Sequence, residues 1–402
     1  LLTTTQSSYW LRTAIHSGSN TRALVPDLFR GMGAKRVVLF SDRGLEEAGI
    51  VAKVAELFQL TPHGTGPELV GVYLDIAQDA ESTSVDAATR YAREKGADAL
   101  LAVGGGSVLD TVKGVKYALF KGLTDINEAI PGGFVSESFP QAQPIPIPHL
   151  ALPTTAGTGS EVSPIAVIYN DEIKLKTTII NPFLSADMAI LDPDVTTGLP
   201  PFITAFTGMD ALTHAIEALA SPNATALTDA YALHTIRLIE KNLPEAVSDG
   251  GNLSARMEML QASLMGITAF SFALNAIPVH NLAHAYGAMF RIPHGLANAV
   301  FLPVVMESIP EHYLPKAKGL AEALSIKSDN EDARALLELI IEKIRILSDT
   351  IGLPADFSAY HLSEDDLKRV SPAVASDPAA LFFPMPEELI QAIGERVVPL
   401  SV

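Results

Sequence analysis

The chain has 402 residues, 48% of them hydrophobic and 18% charged, which is ample material for a sizeable core and excludes a disordered chain. With 28 basic against 46 acidic residues, the formal net charge is −18, which argues against nucleic acid or a membrane surface as partner, since both reward Lys and Arg. Cysteine is absent, which removes disulfides, thiolate metal ligands and thiol nucleophiles and fits a cytoplasmic location.

The opening Leu1-Leu2-Thr3-Thr4-Thr5 does not read as a signal peptide. No segment reaches the roughly 18 uninterrupted apolar residues of a membrane span. The first half then alternates strand-like and helix-like segments. Val37–Phe40 is a short apolar run ended by Ser41-Asp42-Arg43-Gly44, with a helix-like stretch from Leu45. Ala99–Val103 runs into Gly104-Gly105-Gly106-Ser107, and Val108 to Phe120 reads as a helix. Leu150-Ala151-Leu152 leads into Pro153-Thr154-Thr155, Ile165–Tyr169 is rich in β-branched residues, and Ala189-Ile190-Leu191 closes the series. Buried strands separated by helices predict a parallel α/β sheet covered on both faces. Between them, Pro131 to Pro148 is proline-rich and reads as an extended connector.

From about Pro200 the spacing becomes helical, over 203–220, 224–242, 254–272, 276–289, 310–324, 330–350 and 386–397. The expected division is an α/β domain over 1–196 and an all-helical domain over 197–402.

Three polar segments follow apolar runs. Gly104-Gly105-Gly106-Ser107, between a strand and a helix, can present free backbone N–H groups to a pyrophosphate, or can be a tight turn. Thr154-Thr155-Ala156-Gly157-Thr158-Gly159-Ser160 offers hydroxyls and close backbone approach, or an ordinary helix cap. Asp42 can accept hydrogen bonds from a ribose, or is a turn aspartate.

The helical half carries the strongest signal. Asp210 and His214 are four residues apart, His280 and His284 repeat that spacing, and His294 follows ten residues later. On a helix, i and i+4 share a face. Imidazole and carboxylate together suit Fe(II), Zn(II), Co(II) or Ni(II). The set holds one residue more than a four-ligand site needs, which leaves one histidine for another task.

Taken together these strings resemble the iron-dependent (group III) alcohol dehydrogenase family, from about Gly33 to the last helices. The motifs that carry the resemblance are Gly104–Ser107 with Asp110, Pro153–Glu161, Asp192-Pro193, Gly208–Glu217, His280–His284 and Pro293–Ala299. The resemblance implies the dehydroquinate synthase-like fold: an N-terminal nucleotide-binding α/β domain, a C-terminal helical metal-binding domain, and an active site between them. It implies Asp210, His214, His280 and His294 as ligands of Fe(II), with zinc an expected substitute in air given its higher intrinsic affinity. It implies NAD at Gly105, Gly106, Ser107, Asp110, Thr154, Thr155, Thr158 and Lys176, with Lys174 two residues from the last. Asp42 matches the family's ribose-binding carboxylate and favours NAD over NADP. His284 becomes the extra histidine, near the nicotinamide and able to relay a proton. Ile165 and Phe270-Ser271-Phe272 fall at pocket positions. The implied activity is reversible hydride transfer between NAD(H) and a small alcohol or aldehyde, by a homodimer or larger homo-oligomer. Runner-up readings on the same scaffold are a hydroxyacid–oxoacid transhydrogenase and a maleylacetate reductase. Readings from other classes are a non-catalytic metal- or nucleotide-binding protein and a metallohydrolase, which leaves the glycine-rich turn unexplained.

Overall fold

The computed structural model describes residues 7–60, 66–329 and 332–399. The Leu1–Thr5 opening and the first two residues of the 330–350 segment lie outside the described residues. Nine strands occur among them: β1 (Ala14–Ser17), β2 (Arg36–Phe40), β3 (Glu68–Tyr73), β4 (Ala99–Gly104), β5 (Phe134–Ser136), β6 (His149–Pro153), β7 (Ile165–Asn170), β8 (Leu175–Ile180) and β9 (Met188–Leu191). Helices α1 (Val25–Gly31), α2 (Arg43–Glu47), α3 (Ile50–Gln59), α4 (Ser82–Glu94) and α5 (Gly106–Lys121) alternate with them.

Six strands form one all-parallel sheet in the order β1-β9-β6-β4-β2-β3. The near-continuous apolar runs are explained by burial on both faces. Val37 and Leu39 of β2 pack with Phe29 of α1 and Val54 of α3. Val38 and Phe40, pointing the other way, pack with Val85 of α4 and Val112 of α5. The chain passes from β2 outward to β3 and returns across it to β4. The order therefore reverses at β2/β4, the place where open α/β sheets bind ligands at their carboxyl ends.

The strand at Ile165 departs from the expected series. β7 pairs antiparallel with β8, and β5 flanks β8 in a separate three-stranded sheet. A four-residue connection suits a hairpin, whereas a parallel pair needs a long crossover. Part of the proline-rich connector is thus a strand. The helix-like stretch from Leu45 is two helices, because Gly49 adopts a left-handed φ of 74° between them.

The second half is helical: α6 (Pro201–Ala220), α7 (Ala226–Ser248), α8 (Leu253–Phe272), α9 (Pro278–Phe290), α10 (His294–Ser308), α11 (Pro310–Tyr313), α12 (Ala317–Ala323), α13 (Ala333–Thr350), α14 (Glu364–Ser376) and α15 (Glu387–Val397). α6 is apolar nearly all round and lies at the centre, packed on α7, α8 and α10. Four differences from the expected segments involve proline. α7 continues through Pro244, and the 310–324 segment breaks at a one-turn 3-10 helix containing Pro315. α10 contains Pro303 and was not among the expected helices; neither was α14, which contains Pro372. Packing of buried faces outweighs the roughly 3 kcal/mol that an interior proline costs. Among the described residues no helix is long and apolar enough to cross a membrane.

Candidate active site

The sheet gathers three sequence candidates at one edge. β6, β4 and β2 are neighbours and parallel, so the turns after them lie side by side. These turns contain Thr154, Gly105 and Asp42. The Thr154 N–H donates to the Gly104 carbonyl at 3.0 Å, and the Ser41 hydroxyl donates to the Val103 carbonyl at 2.8 Å. Gly105 caps α5 without a side-chain hydrogen bond, so the first-turn N–H groups stay open to an anion. A Cβ on Gly106 would lie 2.6 Å from Thr158 Cγ2, and one on Gly105 would lie 3.2 Å from Thr155 Cγ2. The two turns touch, and glycine is what permits it. Asp42 caps α2, accepting the Leu45 N–H at 2.9 Å, one strand away from the Gly105 turn.

Asp110, one turn into α5, is heavily bonded. It accepts from the Ser160 hydroxyl at 2.5 Å, Lys113 Nζ at 3.2 Å and the Val167 N–H at 3.2 Å. It ties α5 to the second sheet while facing the cleft. Lys176 and Lys174 separate cleanly. Lys174 sits exposed at the β7–β8 turn, whereas Lys176 is buried, faces the cleft and pairs with Asp79 at 3.0 Å. The Ser107 hydroxyl accepts the Asp79 N–H at 3.0 Å.

A cleft of about 1160 Å³, open to solvent, runs from Gly106 and Ser107 to Asp210 and the histidines. Its side wall is the three-stranded sheet. Ile165 and Val167 of β7 and Lys176, Thr178 and Ile180 of β8 face the cleft, while the intervening Ala166, Ile168 and Ile179 face the core. This is the period-two alternation of a half-buried sheet. Phe270 lines the cleft as expected. Phe272 does not; its ring packs on Tyr9 and Trp10 instead. Two positions along α8 turn that side chain off the face that carries Phe270.

At the far end, ligand atoms of Asp210, His280 and His294 all lie within 4.8 Å of one another. Asp210 Oδ1 is 3.7 Å from His280 Nε2 and 3.6 Å from His294 Nε2. His214 lies beside this trio, its ring stacked 4.6 Å from that of His280. Two further side chains hold the group and were missed in the sequence. Glu217, on the Asp210/His214 face of α6, is fully buried; it accepts the Val279 N–H at 2.7 Å and bonds His280 Nδ1. That bond puts the ring proton on Nδ1 and leaves the lone pair of His280 Nε2 free, buried and without a hydrogen-bond partner. Asn298 donates to Asp210 Oδ1 at 2.7 Å and lies 3.2 Å from His294 Nε2. Both stand at helical offsets from recognised residues, i+3 from His214 and i+4 from His294, and that spacing was the available signal.

The electrostatics suit a cation. Burial would raise the Asp210 carboxyl, but the neighbouring imidazoles hold it well below the usual carboxylate range. Burial pulls His214 down to about 4 and drives His294 well below its ordinary value. Burial would lower His280 too, yet the neighbouring charges of Glu217 and Asp210, with the Glu217 hydrogen bond, outweigh it and push it up to about 9. Two buried carboxylates among imidazoles with an orphaned Nε2 fit a divalent ion bound by nitrogen and oxygen. His284 flanks the trio, its ring stacked 5.2 Å from that of His294. Its Nδ1 lies 3.1 Å from Asp377 Oδ2.

Comparison with known proteins agrees with this geometry. Residues 12–193 match the model of the iron-containing alcohol dehydrogenases, and residues 204–395 match that of the family's C-terminal region. The chain is 37% identical over 350 residues to the probable alcohol dehydrogenase EutG of Escherichia coli, covering 86% of this chain and 85% of that one. It is 34% identical over 368 residues to the 1,3-propanediol dehydrogenase of Citrobacter freundii, covering 91% and 92%. A solved 1,3-propanediol oxidoreductase superposes with a TM-score of 0.89 at 32% identity, covering 98% of this chain and all of the other. The donor set, the open helix N-terminus facing it, and matches over both halves lead to one conclusion: the chain belongs to the iron-containing (group III) alcohol dehydrogenase family and is a metal-dependent, NAD(H)-linked enzyme.

Proposed function

We propose that Asp210, His214, His280 and His294 hold Fe(II), that NAD lies along the cleft from Asp42 to His284, and that a small alcohol or aldehyde binds between them. The observation that carries this is one cleft lined at one end by Gly106 and Ser107 and at the other by Asp210, His280 and His294. When bound, the ion polarises the substrate oxygen and the nicotinamide exchanges the hydride.

The remaining work belongs to the chain. The α5 N-terminus, with Gly105, Gly106 and Ser107, receives the pyrophosphate. Thr154, Thr155 and Thr158 shape the second turn around it, and Asp110 braces that turn against the side wall. Lys176 supplies a positive charge beside the phosphates. Asp42 receives the adenosine ribose, and its charge disfavours a ribose phosphate. Ile165 and Phe270 make the substrate end apolar and exclude water from the reacting carbon. His284 takes the proton that the alcohol hydroxyl loses, and returns it in the direction of reduction.

We also place the division between domains at 196/197, supported by the last strand ending at Leu191 and α6 starting at Pro201. A homodimer is the proposed assembly. β1 is an edge strand with exposed Ile15, and no strand pairs its outer side among the described residues. A cytoplasmic location fits the absence of cysteine.

The test is NADH oxidation with short aldehydes, comparing metal-stripped protein with protein loaded anaerobically with Fe(II). Turnover restored by Fe(II) is expected. Folded, metal-loaded protein that consumes no NADH with any aldehyde would sink the reading.

A further inference from the structure

Asp377 is 93 residues from His284 in the chain, just beyond the end of α14. It is 7% exposed and lines the same cleft. Each of its oxygens has a distinct task. Oδ1 accepts the Ala379 N–H at 2.8 Å, capping the 3-10 turn Pro378–Leu381. Oδ2 faces His284 Nδ1 at 3.1 Å. Among the described residues no Lys or Arg pairs with it; the imidazole is its ionic partner. An ionised carboxylate only accepts hydrogen bonds, so the proton between the two sits on Nδ1. The ring is also held from outside its edge: it stacks on His294 at an interplanar angle of 28° and meets His280 edge-on at 77°.

We propose that Asp377 is the positioning residue that keeps His284 in its Nδ1–H form, so that Nε2 presents a bare lone pair to the cleft. This rests on the proton-relay reading of His284. In oxidation the substrate O–H bond breaks and an N–H bond forms at Nε2, while the oxygen keeps the bonding pair. With NAD bound, that pair would close the carbonyl as the carbon gives up its hydride to the cofactor. The imidazolium then donates from Nδ1 to Asp377, whose charge balances it. In reduction the Nε2 proton returns to oxygen. Asp377 touches neither substrate nor cofactor in this scheme; it acts through His284, as a carboxylate that orients an imidazole and sets its tautomer.

Asp377→Asn separates this role from a structural one. The Ala379 N–H needs an acceptor, so the amide oxygen stays on it and the NH₂ turns to His284. Nδ1 must then accept, and the proton moves to Nε2, where it blocks the relay. The cap, the volume and the packing survive. The expected result for the Fe(II)-loaded variant is a kcat lower by about 10²- to 10⁴-fold, the range for losing a general base or its tautomer. The KM for NADH and the iron content should stay near wild type. Nitrogen-15 NMR of metal-free protein with labelled histidine gives an independent readout, with the His284 signal identified from the spectrum of His284→Gln. Wild type should show Nδ1–H and Asp377→Asn should show Nε2–H. Nε2–H in the wild type would overturn the inference even if the variant failed to fold. Turnover lost in His284→Ala but kept in Asp377→Asn would overturn it while leaving the relay intact. Unchanged turnover in His284→Ala would overturn the relay reading itself, and the positioning role of Asp377 with it.

Discussion

Glu217 shows how a single residue off the ligand set governs the site. Its Oε1 is committed to the Val279 N–H, which leaves Oε2 to fix the orientation and tautomer of His280. Outer carboxylates of this kind raise ligand basicity, and losing one costs about 10- to 100-fold in metal affinity. Glu217→Gln should weaken Fe(II) or Zn(II) binding by about that factor. Chelator competition measures it, and affinity equal to wild type would show that Glu217 only packs. Glu161 gives a second test. Burial pushes its carboxyl up to about 7, against the ordinary 4.5, with Lys113 opposing the shift. Between those values the folded chain keeps a proton that the unfolded chain has released, so stability falls as pH rises through that window. The contribution present below pH 4.5 is gone above pH 7. Glu161→Gln should flatten the decline in melting temperature across that range. A decline of unchanged slope would assign it to other groups.

At the scale of elements, the contact between two turns shapes the end of the cleft proposed for the nucleotide. The GGGS turn starts α5 and the threonine turn follows β6; they meet because β4 and β6 are adjacent. Gly106→Ala places a methyl group 2.6 Å from Thr158 Cγ2, and both turns must yield. Overpacking of this kind costs about 1–3 kcal/mol. If half of that falls on the bound geometry, NADH affinity drops by about two- to tenfold, since 1.4 kcal/mol is a factor of ten. The metal site is formed by α6, α9 and α10 and should keep its iron. Fluorescence titration with NADH checks the first expectation and metal analysis the second. Loss of both together would mean that the two ends of the cleft are not independent. The β7–β8 hairpin acts in a different way, lending one face to the core and the other to the cleft, so its apolar residues divide between packing and the cleft wall.

At the scale of the molecule, the β1 edge of the six-stranded sheet is a feature left unexplained by the single chain. The N–H groups of Ala14 in β1 and of Gly18 just beyond it point inward, to the carbonyls of Asp187 and Leu191. By the period of two, those of Ile15 and Ser17 point outward. Ile15→Pro removes an outward donor while leaving the inward ladder. If two copies pair along this edge, light scattering should find a dimer in the wild type and monomer in the variant. A wild type that is monomeric at micromolar concentration would remove the assembly proposal.

What the sequence determined by itself was local and periodic. Apolar runs marked β2, β4, β6 and β9, and helical spacing marked most of the second half. The offsets of four linked Asp210 to His214 and His280 to His284. These are readable because period and spacing are properties of neighbouring residues. Tertiary structure decided the rest. Nothing near Ile165 in the chain says that its strand leaves the main sheet, because pairing direction depends on what lies beside it in space. Proline at 244 reads locally as a helix end, yet burial of the surrounding face carries α7 past it. Phe270 and Phe272 look alike in sequence, and only the rotation of α8 sends one to the cleft and the other to Tyr9 and Trp10. Lys174 and Lys176 are distinguished by which one the hairpin buries. Asp377 had no signal at all: its role exists only because the segment after α14 folds back onto α9, and a contact between residues 93 positions apart leaves no period to read.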